Sequence, residues 1–440
     1  MDAKIEETED AAQVAADDDL AVREAAYEKF VWDNLKRNYI GNYLHGMLGM
    51  TGFRLVNAPT FLPAYLHAVS GSNAIVGLAL ALQQLGGVIS PIVGATKIEH
   101  RTKVMPAAIW MGSLGRLAIL GMALAGWFLT GQALVGALLF CMLMFGIFMG
   151  AQRVVFSLLM SKVIPISRRG RLQAWRNATG GAIAAVLAGV AGTYFIQPNL
   201  FGNGYSTTFL FAFVLTSFGL WALQLLLKEP APPTVRAQAR IRDRLKDFPA
   251  LIAQDKAYGF FLVVQMLATS ARIATPFYIL YVGKVIGADG ATLGLLSFAF
   301  LGADTASNLV WGYLGDKTGF RLVLVLSIIG WVAATLMLLN LHEPTWIFAS
   351  FAVLGASLSG YMMASQTMIL EFGNRDDLPM RIAVSATAES ITATAGPLIG
   401  GVVAEVYGYD VVFMASLGFL AAALLILLSA VREPRRRLAG

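Results

Sequence analysis

Gly312-Tyr313-Leu314-Gly315-Asp316-Lys317-Thr318-Gly319-Phe320-Arg321 ends one long apolar run, over about residues 290–312, and leads into another, over about 322–341. About 20 apolar residues are what a helix needs to cross the hydrocarbon core of a bilayer, so each run reads as a membrane span. The stretch between them reads as a tight polar connection. Gly312 and Gly319 permit close approach and a sharp reversal. Asp316 is placed to accept from N–H groups at a neighbouring helix N-terminus. Lys317 and Arg321 can pair with acids on the same membrane face, the nearest candidate in sequence being Glu371.

The same pattern repeats in both directions. Spans are predicted at about residues 41–67, 73–94, 104–129, 133–161, 172–195 and 206–227, then at about 258–283, 290–312, 322–341, 345–369, 380–405 and 410–430. Composition agrees. The 440 residues are 57% hydrophobic and 14% charged, where a soluble domain carries about a quarter charged residues. The expected fold is therefore all-α and integral to the membrane, with twelve transmembrane helices. Residues 1–40 form an N-terminal segment, an acidic tail followed by an amphipathic stretch with Tyr27, Phe30, Val31 and Leu35 on one face, which suits an interfacial helix. No basic, apolar-cored leader opens the chain.

Charge orients the spans. Lysine and arginine fill the connections after spans 2, 4, 6, 8 and 10 and the C-terminal residues 431–440, whereas the opposite connections hold essentially Lys284. By the positive-inside rule both termini are expected in the cytoplasm. The long connection, residues 228–257, opens Lys228-Glu229-Pro230 and continues as a basic helix-forming stretch. It divides the chain into six-helix bundles over residues 41–227 and 258–430. A repeat relates them: Thr51-Gly52-Phe53-Arg54-Leu55 corresponds to Thr269-Ser270-Ala271-Arg272-Ile273, and at the same offset Gly94 corresponds to Gly312. Two such halves are the sequence mark of a transporter whose site lies between them near midplane.

The Gly312–Arg321 stretch resembles the signature Gly-x-Leu-x-Asp-(Arg/Lys)-x-Gly-x-(Arg/Lys) found after helices 2 and 8 of the major facilitator superfamily. The resemblance covers about residues 38–430. It implies a secondary transporter working by alternating access, in which Gly312, Asp316, Lys317, Gly319, Arg321 and Glu371 latch one closed state and separate as the halves rock. The first-half equivalent, Gly94 to Lys103, lacks the aspartate and the second glycine, so its latch is expected to be rewired through Glu99. Gly396-Pro397-Leu398-Ile399-Gly400-Gly401 in span 11 is similar to a motif that drug/proton antiporters carry in helix 5; here it reads as small residues for close helix packing.

Charges within the spans are costly, about 2.5–3.5 kcal/mol each on insertion scales, and mark functional candidates. Arg54, Arg116, Arg272 and Asp304 fall near midplane; Glu389 and Arg153 lie closer to the basic side. Arg54 and Arg272, being repeat-equivalent, are expected to face one another across the cavity, where forked guanidinium donors suit a carboxylate or phosphate. That arrangement is similar to the organophosphate/phosphate antiporters of the superfamily. The alternative is that each arginine pairs structurally within its own half. Asp304 and Glu389 are the proton-coupling candidates, since a carboxyl in a low-dielectric cavity can load and release a proton; the alternative for Asp304 is an ion pair with Arg272 or Arg116. Asn57, Gln83, Gln366 and Tyr278 complete the substrate-binding candidates. His45 is expected at the interface, and Arg171 and Arg176 are expected to reach the basic surface.

The function expected is transport of a small solute, coupled to protons or run as an exchange, with an organic anion ranked ahead of amphipathic compounds exported by efflux. A non-transporting sensor on the same scaffold ranks lower. The sequence holds no nucleophile–base pairing, no metal-ligand spacing among its four histidines and single cysteine, Cys141, and no nucleotide-binding loop, so no enzyme activity or cofactor is expected. The partners expected are the solute, membrane lipid and protons, with no nucleic acid, and the protein is read as a monomer of the bacterial inner membrane.

Overall fold

The computed structural model describes residues 22–98, 102–231, 255–287, 289–372 and 378–431. The acidic tail expected over residues 1–20, the basic helix expected within the central connection, Glu99, Arg375 and the C-terminal arginines Arg432, Arg435, Arg436 and Arg437 lie outside the described residues.

Twelve rods carry the chain back and forth. In order they are α1 (Leu35–Asn57, resuming as Phe61–Ser70), α2 (Asn73–Ile98), α3 (Met105–Phe128), α4 (Gly131–Val163), α5 (Ile166–Val190, extended by a π-helical turn, Ala191–Ile196) and α6 (Gly204–Leu226). There follow α7 (Lys256–Ala271, resuming as Phe277–Ile286), α8 (Gly290–Thr318), α9 (Phe320–Asn340), α10 (Pro344–Ile369), α11 (Leu378–Tyr407) and α12 (Tyr409–Ser429). Among the described residues, nine of these are long and apolar enough to cross a membrane by length and composition alone. Of the remaining three, α1 is interrupted at residues 58–60, α2 is apolar over Asn73–Val88, and α11 carries Arg381, Glu389 and a run of serine and threonine. Helices suit this setting because each satisfies its own backbone polar groups where no water is available. The N-terminal residues 22–33 are also helical, as expected for the interfacial segment, and Tyr27 ties them to the Lys162 carbonyl at 2.8 Å.

Two differences from the predicted spans have a physical cause. The first and seventh spans are broken rather than continuous. Ahead of Pro59, Ala58 takes an extended conformation (φ −56°, ψ 136°), because the proline ring disfavours helical backbone at the residue before it. In α7 the chain tightens to a 3-10 turn over Arg272–Ala274 just before Pro276. Second, α8 runs two turns further than expected, so Gly312 to Thr318 are helical and the reversal falls at Gly319 alone, whose φ is 93°. The expected close approach at Gly312 is absent: a Cβ there would meet nothing within 4 Å.

Within the first half α1 packs on α5 and α6, and α2 on α4; within the second α7 packs on α12, and α8 and α9 on α10. The halves meet along α2–α11 and α5–α8. These crossings are closest at the helix ends opposite the basic connections. Gly192 lies against the Gly294 backbone and Gly77 against the backbones of Pro397 and Gly401, leaving no room for a side chain. Pro397 thus serves helix packing, the reading the sequence favoured. Thr60 and Ser297, both fully buried, hydrogen-bond across the same seam, and Glu405 of α11 accepts from the Asn73 N–H at the start of α2 at 2.6 Å. The side away from the basic connections is therefore sealed.

On the basic side, cations hold helix C-termini. Arg37 donates to the Leu225 and Leu226 carbonyls at the end of α6, both at 2.7 Å. Arg321 donates in the same way to Leu427, Leu428 and Val431 at the end of α12. Exposed carbonyls at a helix C-terminus carry partial negative charge and lack internal partners, which explains why arginines sit there.

Candidate functional site

A cavity of about 560 Å³ opens between the halves, bordered by Arg54, Asn57, Asn177, Arg272, Phe300, Asp304, Asn308, Tyr361, Met362, Met363 and Gln366 among others. Gln366 and Thr367 belong to the last turn of α10, so the cavity extends towards the basic side. A smaller lobe of about 180 Å³ adjoins it, lined by Gln83, Gln84, Leu62, Leu80, Ala393 and Pro397, and Asn57, Pro59, Arg272 and Thr275 border both. The two helix breaks thus form a common wall, with the unwound backbone after Asn57 facing that around Arg272.

Arg54 forms an ion pair with Asp304 of α8 and donates to the Thr305 hydroxyl at 3.1 Å. Both charged side chains are about 20% accessible, open to the cavity but held on one side by helix. Turns of α8 carry the aspartate there, and its backbone carbonyl accepts from Ser359 of α10 at 3.0 Å and from Asn308 at 2.8 Å. The pair runs from one half to the other. Neither sequence reading anticipated it: Arg54 does not pair within its own half, and Asp304 takes Arg54 rather than Arg272 or Arg116.

Arg272 borders both lobes on its own. Behind it stands a polar network inside the second half. Glu389 lies near enough for the Arg272 charge to act on it, and its Oε1 is 3.5 Å from the Gln265 amide. Gln265 accepts from Ser385 at 2.5 Å, and Thr269 shares a hydrogen bond with Tyr361 at 3.2 Å. Glu389 is thus one layer behind the cavity wall. Asn57 and Gln83 are joined, the Gln83 amide donating to the Asn57 carbonyl oxygen at 2.6 Å.

Several candidates stand elsewhere. Tyr278 is 1% exposed, its hydroxyl shared with Thr335 at 2.7 Å and reached by the Trp331 N–H at 3.2 Å; it belongs to the core of the second half and not to the cavity. Arg116, also 1% exposed, donates to the Thr216 and Gly112 carbonyls and lies over the Phe53 ring, a structural role. His45 is not interfacial: it is buried and stacked on Phe156 with ring centroids 4.4 Å apart. Arg176 turns inward, its side chain filling the space left by Gly46 and reaching Met160, while Arg171 is exposed as expected.

A profile of the Major Facilitator Superfamily matches residues 260–440. Multidrug resistance protein MdtG of Salmonella typhimurium is 24% identical over 408 residues, 88% of this chain and 93% of that protein. The MdtG of Enterobacter lignolyticus is 30% identical over 167 residues, which span 37% of this chain and 39% of that one. The crystal structure of a D-xylose–proton symporter superposes with a TM-score of 0.70 at 13% identity, over 91% of this chain and 99% of that one. The match to the major facilitator superfamily covers residues 260–440, and the similarity to multidrug resistance proteins extends over most of the chain. The chain is a multi-pass membrane transporter.

The facilitator signature occupies the last two turns of α8 and the reversal into α9, where the sequence placed it in a connection after the span. Arg321 is committed to the α12 carbonyls described above, and Lys317 lies 6.0 Å from the centroid of the Tyr313 ring. In the first half Glu229, from the connection after α6, sits at the start of α3. Its carboxylate accepts from the Val104 and Met105 N–H groups at the start of α3, at 2.7 and 2.8 Å, and pairs with Lys162 at 3.3 Å. Sequence reasoning missed Glu229. A signal was present, since Lys228-Glu229-Pro230 after the sixth span is matched by Arg432-Glu433-Pro434 after the twelfth. It also missed Asn177, Asn308, Met362 and Met363, which nothing but the packing of α5, α8 and α10 brings to the cavity.

Proposed function

We propose that this transporter is an inner-membrane, proton-coupled exchanger that exports amphipathic organic compounds, with the Arg54–Asp304 pair as its coupling element. The basic side is read as cytoplasmic, which makes the described conformation open inward and sealed outward. The observation that carries the proposal is the ion pair that crosses between the halves inside the cavity. It supplies Arg54 with its counter-charge, and so weakens the two-arginine anion clamp expected from sequence. What remains of the wall is largely amides, methionines and aromatic rings, a lining that adapts to varied solutes.

The cycle follows from competition for one charge. With Asp304 ionised, the pair ties the halves in the inward-open arrangement. Bound solute has to offset the loss of that tie to carry the protein outward. Facing out, the separated Asp304 takes up a proton, and the return proceeds without solute. Water entering from the cytoplasmic side accepts the proton, and the pair re-forms. Glu389 is placed to take a second proton behind Arg272. The name of the MdtG relatives, whose alignment covers most of the chain, points to the same class of solute.

An organic anion stays as the second reading because Arg272 borders both lobes and has no ion pair among the described residues. Proteoliposomes with an imposed pH gradient separate the two. Gradient-driven movement of lipophilic cations and neutral amphipathic compounds, abolished by Asp304→Asn and kept in Arg272→Gln, supports export. Movement of organophosphates or carboxylates alone, lost in Arg272→Gln, overturns it in favour of the anion.

A further inference from the structure

Several basic-side cations are already engaged. Arg37 and Arg321 hold the ends of α6 and α12. Arg169 holds the end of α4 through the Ser161 and Ile164 carbonyls, at 2.7 and 2.8 Å. Lys162 is paired with Glu229. Lys36, Arg168 and Arg171 have no ion-pair partner among the described residues. These three line one cleft of about 580 Å³, together with Leu35, Tyr39, Ile40, Tyr43 and Trp175.

The cleft is built from two helix faces. On α1, Lys36, Tyr39, Ile40 and Tyr43 recur at intervals of three and four and so share one face. On α5, Arg168, Arg171 and Trp175 do the same. Both helices run from the basic surface into the membrane, and on each the cation comes first and the ring one or two turns deeper. Trp175 is 52% exposed and Ile40 42%, so the cleft opens sideways to lipid. No acid lines it. Read by depth, the lining offers positive charge at the phosphate level, amphipathic rings at the ester level and aliphatic surface below, the profile of a phospholipid. A soluble phosphate would use the charge and leave the rings and Ile40 without a role.

We propose that this cleft between the starts of α1 and α5 is a binding site for the headgroup of an anionic phospholipid in the leaflet on the basic side. The lipid's phosphodiester is held by Lys36, Arg168 and Arg171 and its glycerol region by Tyr39, Tyr43 and Trp175. Because α1 and α5 also carry Arg54 and the α5–α8 seam, an occupied cleft couples leaflet composition to the gating helices.

The inference is independent of what the transporter carries, and native mass spectrometry of the detergent-purified full chain tests it. The protein is titrated with phosphatidylglycerol, cardiolipin or phosphatidylcholine, and in a separate arm inorganic phosphate and glycerol phosphate are scored by thermal shift. Wild type is expected to retain the anionic lipids at least about tenfold more strongly than phosphatidylcholine. The triple variant K36Q/R168Q/R171Q is expected to lose that preference, and Trp175→Leu to weaken it about threefold with all charges in place. A control variant, K103Q/K228Q/K256Q, removes as much charge from the same side and is expected to behave as wild type. Equal retention of phosphatidylcholine, an equal loss in the control, or stabilisation by inorganic phosphate as strong as by lipid would each overturn the proposal. Size-exclusion profile and helical circular dichroism identify a triple variant that has not folded, in which case the W175L and control titrations still decide.

Discussion

Asp304 of α8 holds Arg54 of α1 across the interface between the two six-helix halves, so the only charges these helices place near midplane neutralise each other rather than a ligand. Removing one partner strands the other in a poorly hydrated site. Such an orphan costs about 2.5–3.5 kcal/mol at the centre of a span on insertion scales, less where the cavity admits water. Asp304→Asn is therefore expected to lower thermal stability, and Arg54→Gln/Asp304→Asn to recover most of the loss. Neither variant is expected to couple to a pH gradient. A double-mutant cycle of melting temperatures with transport in proteoliposomes checks both; additive losses would mean the two side chains do not interact.

The seam between α5 and α8 has room for backbone only, with Gly192 set against Gly294. A side chain at Gly294 is expected to hold the halves apart on that side and favour the opposite conformation. Gly294→Leu is expected to fold, to bind solute and to lose transport by at least about a hundredfold. Spin labels on Ser70 and Gly408, near the sealed end, would show a longer distance distribution than in the parent protein.

The spans were legible because hydrocarbon leaves a helix no alternative to a long apolar run, and the order of loops follows from where lysine and arginine fall. Arg54 and Arg272 could be picked out as a repeat pair for the same reason: a charge within such a run stands out. Their partners could not. Whether Arg54 reaches Asp304, Arg272 or nothing is decided by the rotation of α1 against α8, and one sequence does not encode that angle in any local pattern. Tyr278 misled for a related reason: a tyrosine at midplane reads alike on either face of α7, and α7 turns it towards Trp331. The breaks at Pro59 and Pro276 were readable in principle, since each proline follows its arginine by four or five residues, but hydropathy alone runs through them.

Glu229 is 3% accessible and serves two N–H groups at the start of α3 as well as Lys162. Replacing it by alanine leaves the Val104 and Met105 N–H groups without a partner and Lys162 with the Thr102 carbonyl alone. A lost N-terminal cap costs about 1–2 kcal/mol, and an orphaned buried donor a comparable amount. Glu229→Ala is expected to lower the melting temperature by several degrees and Glu229→Gln by less, since the amide oxygen still accepts. Unchanged melting of both variants would show that the cap carries no weight.

Asp289 caps α8 from the side opposite the basic connections, its carboxylate accepting from the Thr292 N–H at 2.8 Å. Bonds from the Thr292 hydroxyl and N–H hold its pKa below the ordinary carboxylate value. The sign follows from that direction. A depressed folded value means the cap stabilises the helix above the unfolded pKa, near 4, and the contribution is lost as pH falls through the lower folded value. Between pH 7 and 5 nothing is expected to change. Below about pH 4 the first turn of α8 should open, by at most about 1 kcal/mol, since the group is exposed and solvent screens it. Amide hydrogen exchange at Thr292 and Leu293, corrected for intrinsic rates, reads this directly. Asp289→Asn keeps a capping oxygen and has no proton to gain, so its protection should be flat with pH; an acid-labile first turn in that variant would assign the pH dependence to another group.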